Sequence, residues 1–168
     1  MIPKRISVCS MIAALCLVLM LLGSFLGIGM YAVPMIVGLL LTVPGEKYGW
    51  RSHLLLWAAV GILSLILVPE MEQSLMFLLI FGPYPMLYPL FQKCRLLPRI
   101  LLKLLYFNGM VILTEAIAMA LLFPDGMGTL MAAMLLLLGN LLFFCYDHLI
   151  PRAERLMQRY LGKLYDRL

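Results

Sequence analysis

Apolar residues run through this chain in long blocks, and polar residues collect in short gaps between them. A helix needs about 20 apolar residues to cross a bilayer, and six blocks approach that length. The first runs from about Arg5 to Ile28 and is followed by the short uncharged turn Gly27-Ile28-Gly29. The second begins near Tyr31, carries Pro34 in its first turn, where proline is tolerated, weakens at Pro44-Gly45 and reaches at furthest Trp50. The third spans about Ser52 to Val68 and stops at Pro69. The fourth covers about Met71 to Phe91, the fifth about Leu97 to Phe123, ending at Pro124-Asp125-Gly126, and the sixth about Met127 to Ile150.

The fourth block is unlike the others. It contains Phe81-Gly82-Pro83-Tyr84-Pro85-Met86-Leu87-Tyr88-Pro89. Each proline lacks a backbone donor and clashes with the carbonyl four residues earlier, so an unbroken helix is excluded. At membrane depth the freed carbonyls must face protein or a wet cavity. Broken helices of this kind often line ligand sites in transporters. An alternative is a bend that shapes the floor of a cavity or serves as a hinge.

After Ile150 the pattern changes. From Pro151 to Leu168, Ala153, Leu156, Met157, Tyr160, Leu161, Leu164 and Leu168 recur at helical spacing among arginines and acids, which predicts an amphipathic helix. It suits either the inner leaflet, held by anionic lipid, or docking to a cytoplasmic partner. The fold class is therefore all-α and polytopic. A six-helix transmembrane domain, 1–150, with a kinked fourth helix precedes a cytoplasmic amphipathic helix, 151–168.

Composition supports the membrane reading. Of 168 residues, 64% are hydrophobic and only 12% charged, with a mean hydropathy of +1.04. No soluble domain of this size buries so much apolar surface. The alternation of a membrane barrel is absent. The apolar run from Ile6 to Ile28 exceeds the core of a cleavable signal peptide.

The net charge of +5 raises nucleic acid as a partner, and its distribution removes that reading. With both termini cytoplasmic, all 13 basic residues fall in cytoplasmic segments: Lys4 and Arg5; Lys47 and Arg51; Lys93, Arg95, Arg99 and Lys103; and the five of the tail. The outer segments hold Glu70, Glu72 and Asp125 instead. This is the positive-inside distribution of a cell-membrane protein.

Candidate chemistry is sparse. Glu115, between Thr114 and Ala116, is an intramembrane acid in the outer half of the fifth span. Such a group is by default a functional candidate, and a hydrogen-bonded structural acid near Thr129 or Ser24 is the alternative. It shares the outer half with Glu70, Glu72 and Gln73, and together these form the expected substrate site. Asn108 and Asn140 reach similar depth from opposite ends of spans five and six, which suits an interhelical amide pair or contact with a ligand. Gly82 and Tyr84 lie near that level, so one cavity shared by the break and the two amides is expected. Tyr84 and Tyr88 either stack on a ligand or fill the kink.

Glu46 is expected to balance Lys47 or Arg51, Asp147 to pair with a nearby arginine, and His53 to stand alone. Cys9, Cys16, Cys94 and Cys145 lack metal-binding spacing and read as reduced thiols. No cofactor or metal is called for. The motifs of intramembrane proteases and ATPases are absent.

In the first span Ser10 and Ala14 stand four apart, a spacing that lets a second helix approach closely. Six short spans, cytoplasmic ends and this small-x-x-x-small pattern resemble the substrate-binding S components of energy-coupling-factor transporters. Tyr31-Ala-Val-Pro34, Glu46, Leu63-Ser64-Leu65 through Pro69-Glu70, and Phe81-Gly82-x-Tyr84-Pro85 also resemble a family of six-span Gram-positive membrane proteins often grouped with them, which confers no substrate. The resemblance implies an outward-opening micronutrient pocket. It also implies a membrane coupling subunit meeting Ser10 and Ala14, and partner ATPases. Gly27-Ile28-Gly29 is shorter than the lid loop of that family. A structural or assembly protein that recruits a cytoplasmic partner through its basic tail is the second reading.

Overall fold

A computed structural model of the chain describes residues 2–26, 31–93, 95–122 and 129–165. The turns expected at Gly27-Ile28-Gly29 and Pro124-Asp125-Gly126, together with Cys94, lie outside the described residues. The described residues form seven α-helices in order: α1 (Ile2–Leu26), α2 (Ala32–Tyr48), α3 (Trp50–Leu67), α4 (Met71–Met76), α5 (Tyr84–Gln92), α6 (Leu96–Leu122) and α7 (Thr129–Tyr165). A π-helical segment, Phe77–Phe81, joins α4 to the turn before α5. No strand occurs among the described residues. Among the described residues four stretches are long and apolar enough to cross a membrane: Arg5–Leu26, Trp50–Leu67, Met71–Gln92 and Leu97–Ile117. α2 has 17 residues, about 26 Å of helix.

The helix ends have local causes. Val68 takes extended backbone angles (φ −87°, ψ 123°), as the residue before a proline prefers, and α3 stops there. Gly49 alone separates α2 from α3. Its φ of +86° and ψ of 166° lie in a region open in practice only to glycine. The link is fastened by Ser52, whose hydroxyl donates to the Tyr48 carbonyl (3.1 Å) and accepts from Arg5 of α1.

The weak point expected at Pro44-Gly45 does not end its helix, and the break expected at Pro151 is absent. α2 continues through Pro44-Gly45 to Tyr48. α7 continues through Pro151 to Tyr165, so the tail extends the helix that begins at Thr129 and does not begin a new one. One proline removes one hydrogen bond and imposes a bend, which a helix of 37 residues absorbs through its other bonds. The fourth span is broken, as the prolines require.

The core has two parts. Ile12, Cys16, Met20, Val37, Leu41, Leu56, Val60 and Phe77 fill the space among α1, α2 and α3. Met35, Met76, Phe81, Tyr84, Phe107, Phe143 and Tyr146 fill the other. Phe77 and Phe81, at the two ends of the π segment, belong to different halves, so the broken span is wedged between them. The opposite faces are strongly apolar: Leu97, Phe25, Ile66 and Leu137 are at least three-quarters exposed. Exposure on this scale suits hydrocarbon as the solvent and is unusual for a protein in water.

Candidate functional site

The break in the fourth span carries the densest polar arrangement. The Gly82 N–H bonds to the Phe77 carbonyl (2.8 Å), five residues back, which frees Leu78. Pro83 and Pro85 have no N–H to give Leu79 and Phe81. The Met86 N–H goes to Pro83 (3.1 Å), which frees Gly82. Each of these carbonyls would cost about 1–3 kcal/mol if buried without a donor.

Side chains from three other stretches serve them. Trp57 Nε1 donates to Leu78 (3.0 Å). The Tyr106 hydroxyl lies 2.9 Å from the Leu79 oxygen and 3.2 Å from that of Ile80. The Tyr146 hydroxyl donates to Phe81 (2.9 Å). His53 Nε2 lies 3.2 Å from the Gly82 oxygen, which only accepts, so Nε2 carries the proton. Five consecutive carbonyls are thus occupied by α3, α6 and α7. His53, expected to be isolated, is one of the donors.

Close approach of the backbones makes this geometry accessible. A Cβ on Gly38 of α2 would stand 2.5 Å from both the Phe81 carbonyl oxygen and the Tyr146 hydroxyl. Only glycine lets α2 pass there. The break is therefore a joint on which the bundle closes, and its carbonyls are not offered to a ligand.

Tyr84 is fully buried at the centre of an aromatic cluster with Tyr88, Phe91, Tyr106, Phe143 and Tyr146. Its hydroxyl donates to Asp147 Oδ1. Lys103 Nζ reaches both oxygens of the same carboxylate at 2.6 and 2.8 Å and sits 4.7 Å from the centroid of the Tyr88 ring. The Lys103 residue is 8% exposed. The partner of Asp147 is thus a lysine, where an arginine was expected. Lys103 lies seven residues into α6, about 10 Å along the axis, so it belongs to the bundle interior as well as to the basic end.

Asn108 and Asn140 form a reciprocal pair. Each side-chain nitrogen donates to the other's oxygen, at 3.1 and 2.9 Å, and also to the carbonyl four residues earlier on its own helix, Leu104 or Leu136. The amides are committed to each other. The expectation of one cavity shared by Tyr84 and both asparagines does not hold: Tyr84 is enclosed by rings, and the amides face each other.

α4, which carries Glu72, packs against α6, which carries Glu115. Glu72 of α4 feels the charges of both Glu115 and Glu70, and Tyr31, beside α2, feels Glu72 and Glu115. All four side chains are half-buried. Every charged group acting on Glu72 among the described residues is another carboxylate. Tyr31 is a member that sequence reasoning missed. Gln73 is 1% exposed, and its nitrogen donates to the Met20 carbonyl (3.1 Å). Its oxygen, like the Ser74 hydroxyl, is buried without a partner. The side chain of Thr129, weighed as a partner for Glu115, lies outside the described residues. No group of acids, histidines and cysteines among those described has the geometry to hold a metal ion.

Ser10 and Ala14 are exposed on α1, while Ile12, Cys16 and Met20 face the core. The small pair therefore lies on the outer face of the bundle. At the basic end a groove of about 680 Å³ runs between Gly45, Glu46 and Trp50 on one side and Tyr88, Pro89, Leu90 and Lys93 on the other. Comparison with protein-family models, curated proteins and solved structures finds no match.

Proposed function

We propose that the chain is the membrane-embedded substrate-binding subunit of an uptake system, with six spans and both termini in the cytoplasm. One observation carries the reading. α4 packs against α6, and the charges of Glu115 and Glu70 reach Glu72, as those of Glu72 and Glu115 reach Tyr31. Half-buried carboxylates within reach of one another's charge are costly, and a positively charged or donor-rich ligand relieves that cost. Gln73, with an unpartnered buried oxygen, is next to Glu72 in the chain. The ligand class this favours is a small organic cation.

Ser10 and Ala14, exposed on α1, suit close approach by a helix of a membrane coupling subunit. Partner ATPases would supply energy to such a complex. Affinity purification in mild detergent tests the assignment. It should recover a coupling subunit and ATPases with the wild-type protein, and Ala14→Leu should lose them while the chain still inserts. Recovery of neither from wild type refutes the transport assignment. The ligand site is tested separately. Glu115→Gln should weaken binding of small organic cations by at least about tenfold, the scale of one charge-assisted hydrogen bond.

A second reading has its own observation. α7 runs as one helix from Thr129 to Tyr165, so 15 residues beyond Ile150, about 22 Å of helix, are covalently continuous with the bundle. This suits a structural or assembly protein that presents its basic tail to a cytoplasmic partner. Removal of 151–168 should then abolish function and leave membrane insertion intact.

A further inference from the structure

We propose that the cleft between the end of α5, the start of α6 and the middle of α7 is a binding site for the headgroup of one anionic phospholipid. The cleft encloses about 150 Å³ and has two chemically distinct walls. Its polar wall is made by Gln92, Arg99, Lys103 and Asp147. Arg99 Nη1 donates to Gln92 Oε1 at 2.6 Å, which orients the guanidinium and leaves most of its five N–H donors for another acceptor. Lys103 is already matched by Asp147. The three charged residues of the wall therefore carry one net positive charge, the complement of a single phosphodiester.

The other wall is apolar. Ile100 and Leu104 occupy successive turns of α6, and Phe144 faces them from α7. Ile100 is 41% and Phe144 56% exposed, so this wall opens to the bundle surface. From Arg99 the apolar positions run along α6 toward the bundle centre. A phosphate held by Arg99 thus has its acyl chains directed along Leu104 and Phe144. An inorganic phosphate would use the arginine and leave the apolar wall without a partner. A zwitterionic lipid brings no net charge to cancel that of the cleft. Basic clefts between helices at a membrane's charged face are a recurrent way of holding anionic headgroups. The inference is independent of whether the chain carries a transported ligand.

The test is native mass spectrometry of the purified full-length protein, exchanged into detergent containing equal amounts of dioleoylphosphatidylglycerol and dioleoylphosphatidylcholine. Wild type should retain one phosphatidylglycerol in preference to phosphatidylcholine. Arg99→Gln should reduce that retention at least about tenfold, as loss of a charge-assisted contact implies. Ile100→Trp, which fills the apolar wall and keeps every charge, should reduce it as well. Arg95→Gln, a basic residue outside the cleft, should change nothing. The proposal is overturned if both cleft variants retain the lipid like wild type, or if Arg95→Gln loses it equally. It is also overturned if millimolar inorganic phosphate displaces the lipid, which would make the site one for a free anion.

Discussion

Tyr146→Phe removes one oxygen atom from the centre of the bundle, and the structure sets the size of the effect. That hydroxyl donates to the Phe81 carbonyl at 2.9 Å. Pro85 cannot serve the carbonyl, and Phe81 is 1% exposed, so water does not replace the lost donor. An orphaned buried acceptor costs about 1–3 kcal/mol. The phenyl ring left by the substitution would keep the edge-on packing that Tyr146 has with Phe81, at 5.1 Å between centroids, so packing contributes little to the change. Denaturant unfolding in detergent micelles, followed by circular dichroism, measures the loss. Tyr48→Phe, at the end of α2, controls for removing a tyrosine hydroxyl elsewhere. Gly38→Ala adds a second arm. Its new Cβ would press on both the Phe81 oxygen and the Tyr146 hydroxyl, so it should be strongly destabilising. Its cost should fall in the Tyr146→Phe background, since one of the two clashing atoms is then gone. A Tyr146→Phe protein within about 0.5 kcal/mol of wild type, well below the orphan cost, would refute the carbonyl accounting.

Further predictions use the same assay. Asp147→Asn should cost up to about 3–5 kcal/mol, because it leaves the buried Lys103 ammonium uncompensated, and Lys103→Met less, because the Asp147 side chain is 26% exposed, whereas Lys103→Met with Asp147→Leu should lie closer to wild type. Asn108→Ala and Asn140→Ala should each cost about 1 kcal/mol, and the double variant less than their sum, because the second loss removes an already unpaired amide. Gly49→Ala should cost about 1–3 kcal/mol from backbone strain, as nothing lies within 4 Å of the added Cβ. An unchanged midpoint would show that the α2–α3 link relaxes.

The apolar blocks announced the first five helical stretches within a few residues, because in a membrane-like chain length and hydropathy decide them, while the sixth helix runs on past its block to Tyr165. The break at Gly82–Pro85 was also readable, since proline chemistry is local. So was the pairing of Asn108 with Asn140, because two amides at one depth on antiparallel neighbours have few other partners. The donors for the break were not readable. His53, Trp57, Tyr106 and Tyr146 share no motif, and their common role exists only once α3, α6 and α7 surround one turn. A count of freed carbonyls does say that donors are needed, though not which ones. Lys103 misled for a related reason: grouped with Arg95 and Arg99 it marks a membrane side, and its distance along α6 from the helix start was the neglected sign. The break expected at Pro151 failed because a single missing hydrogen bond does not end a helix supported by neighbouring turns.

The joint at Leu78 to Gly82 also imposes an order on assembly. His53 and Trp57 leave the ribosome before the carbonyls they serve, and Tyr106 and Tyr146 leave after them. A nascent chain ending between Gln92 and Leu105 therefore holds the Leu79 and Phe81 carbonyls without the side-chain donors that serve them in the folded bundle. Those groups have to stay hydrated, or rest against the insertion machinery, until the last two long helices arrive. The joint is complete only once Tyr106 and then Tyr146 have joined it.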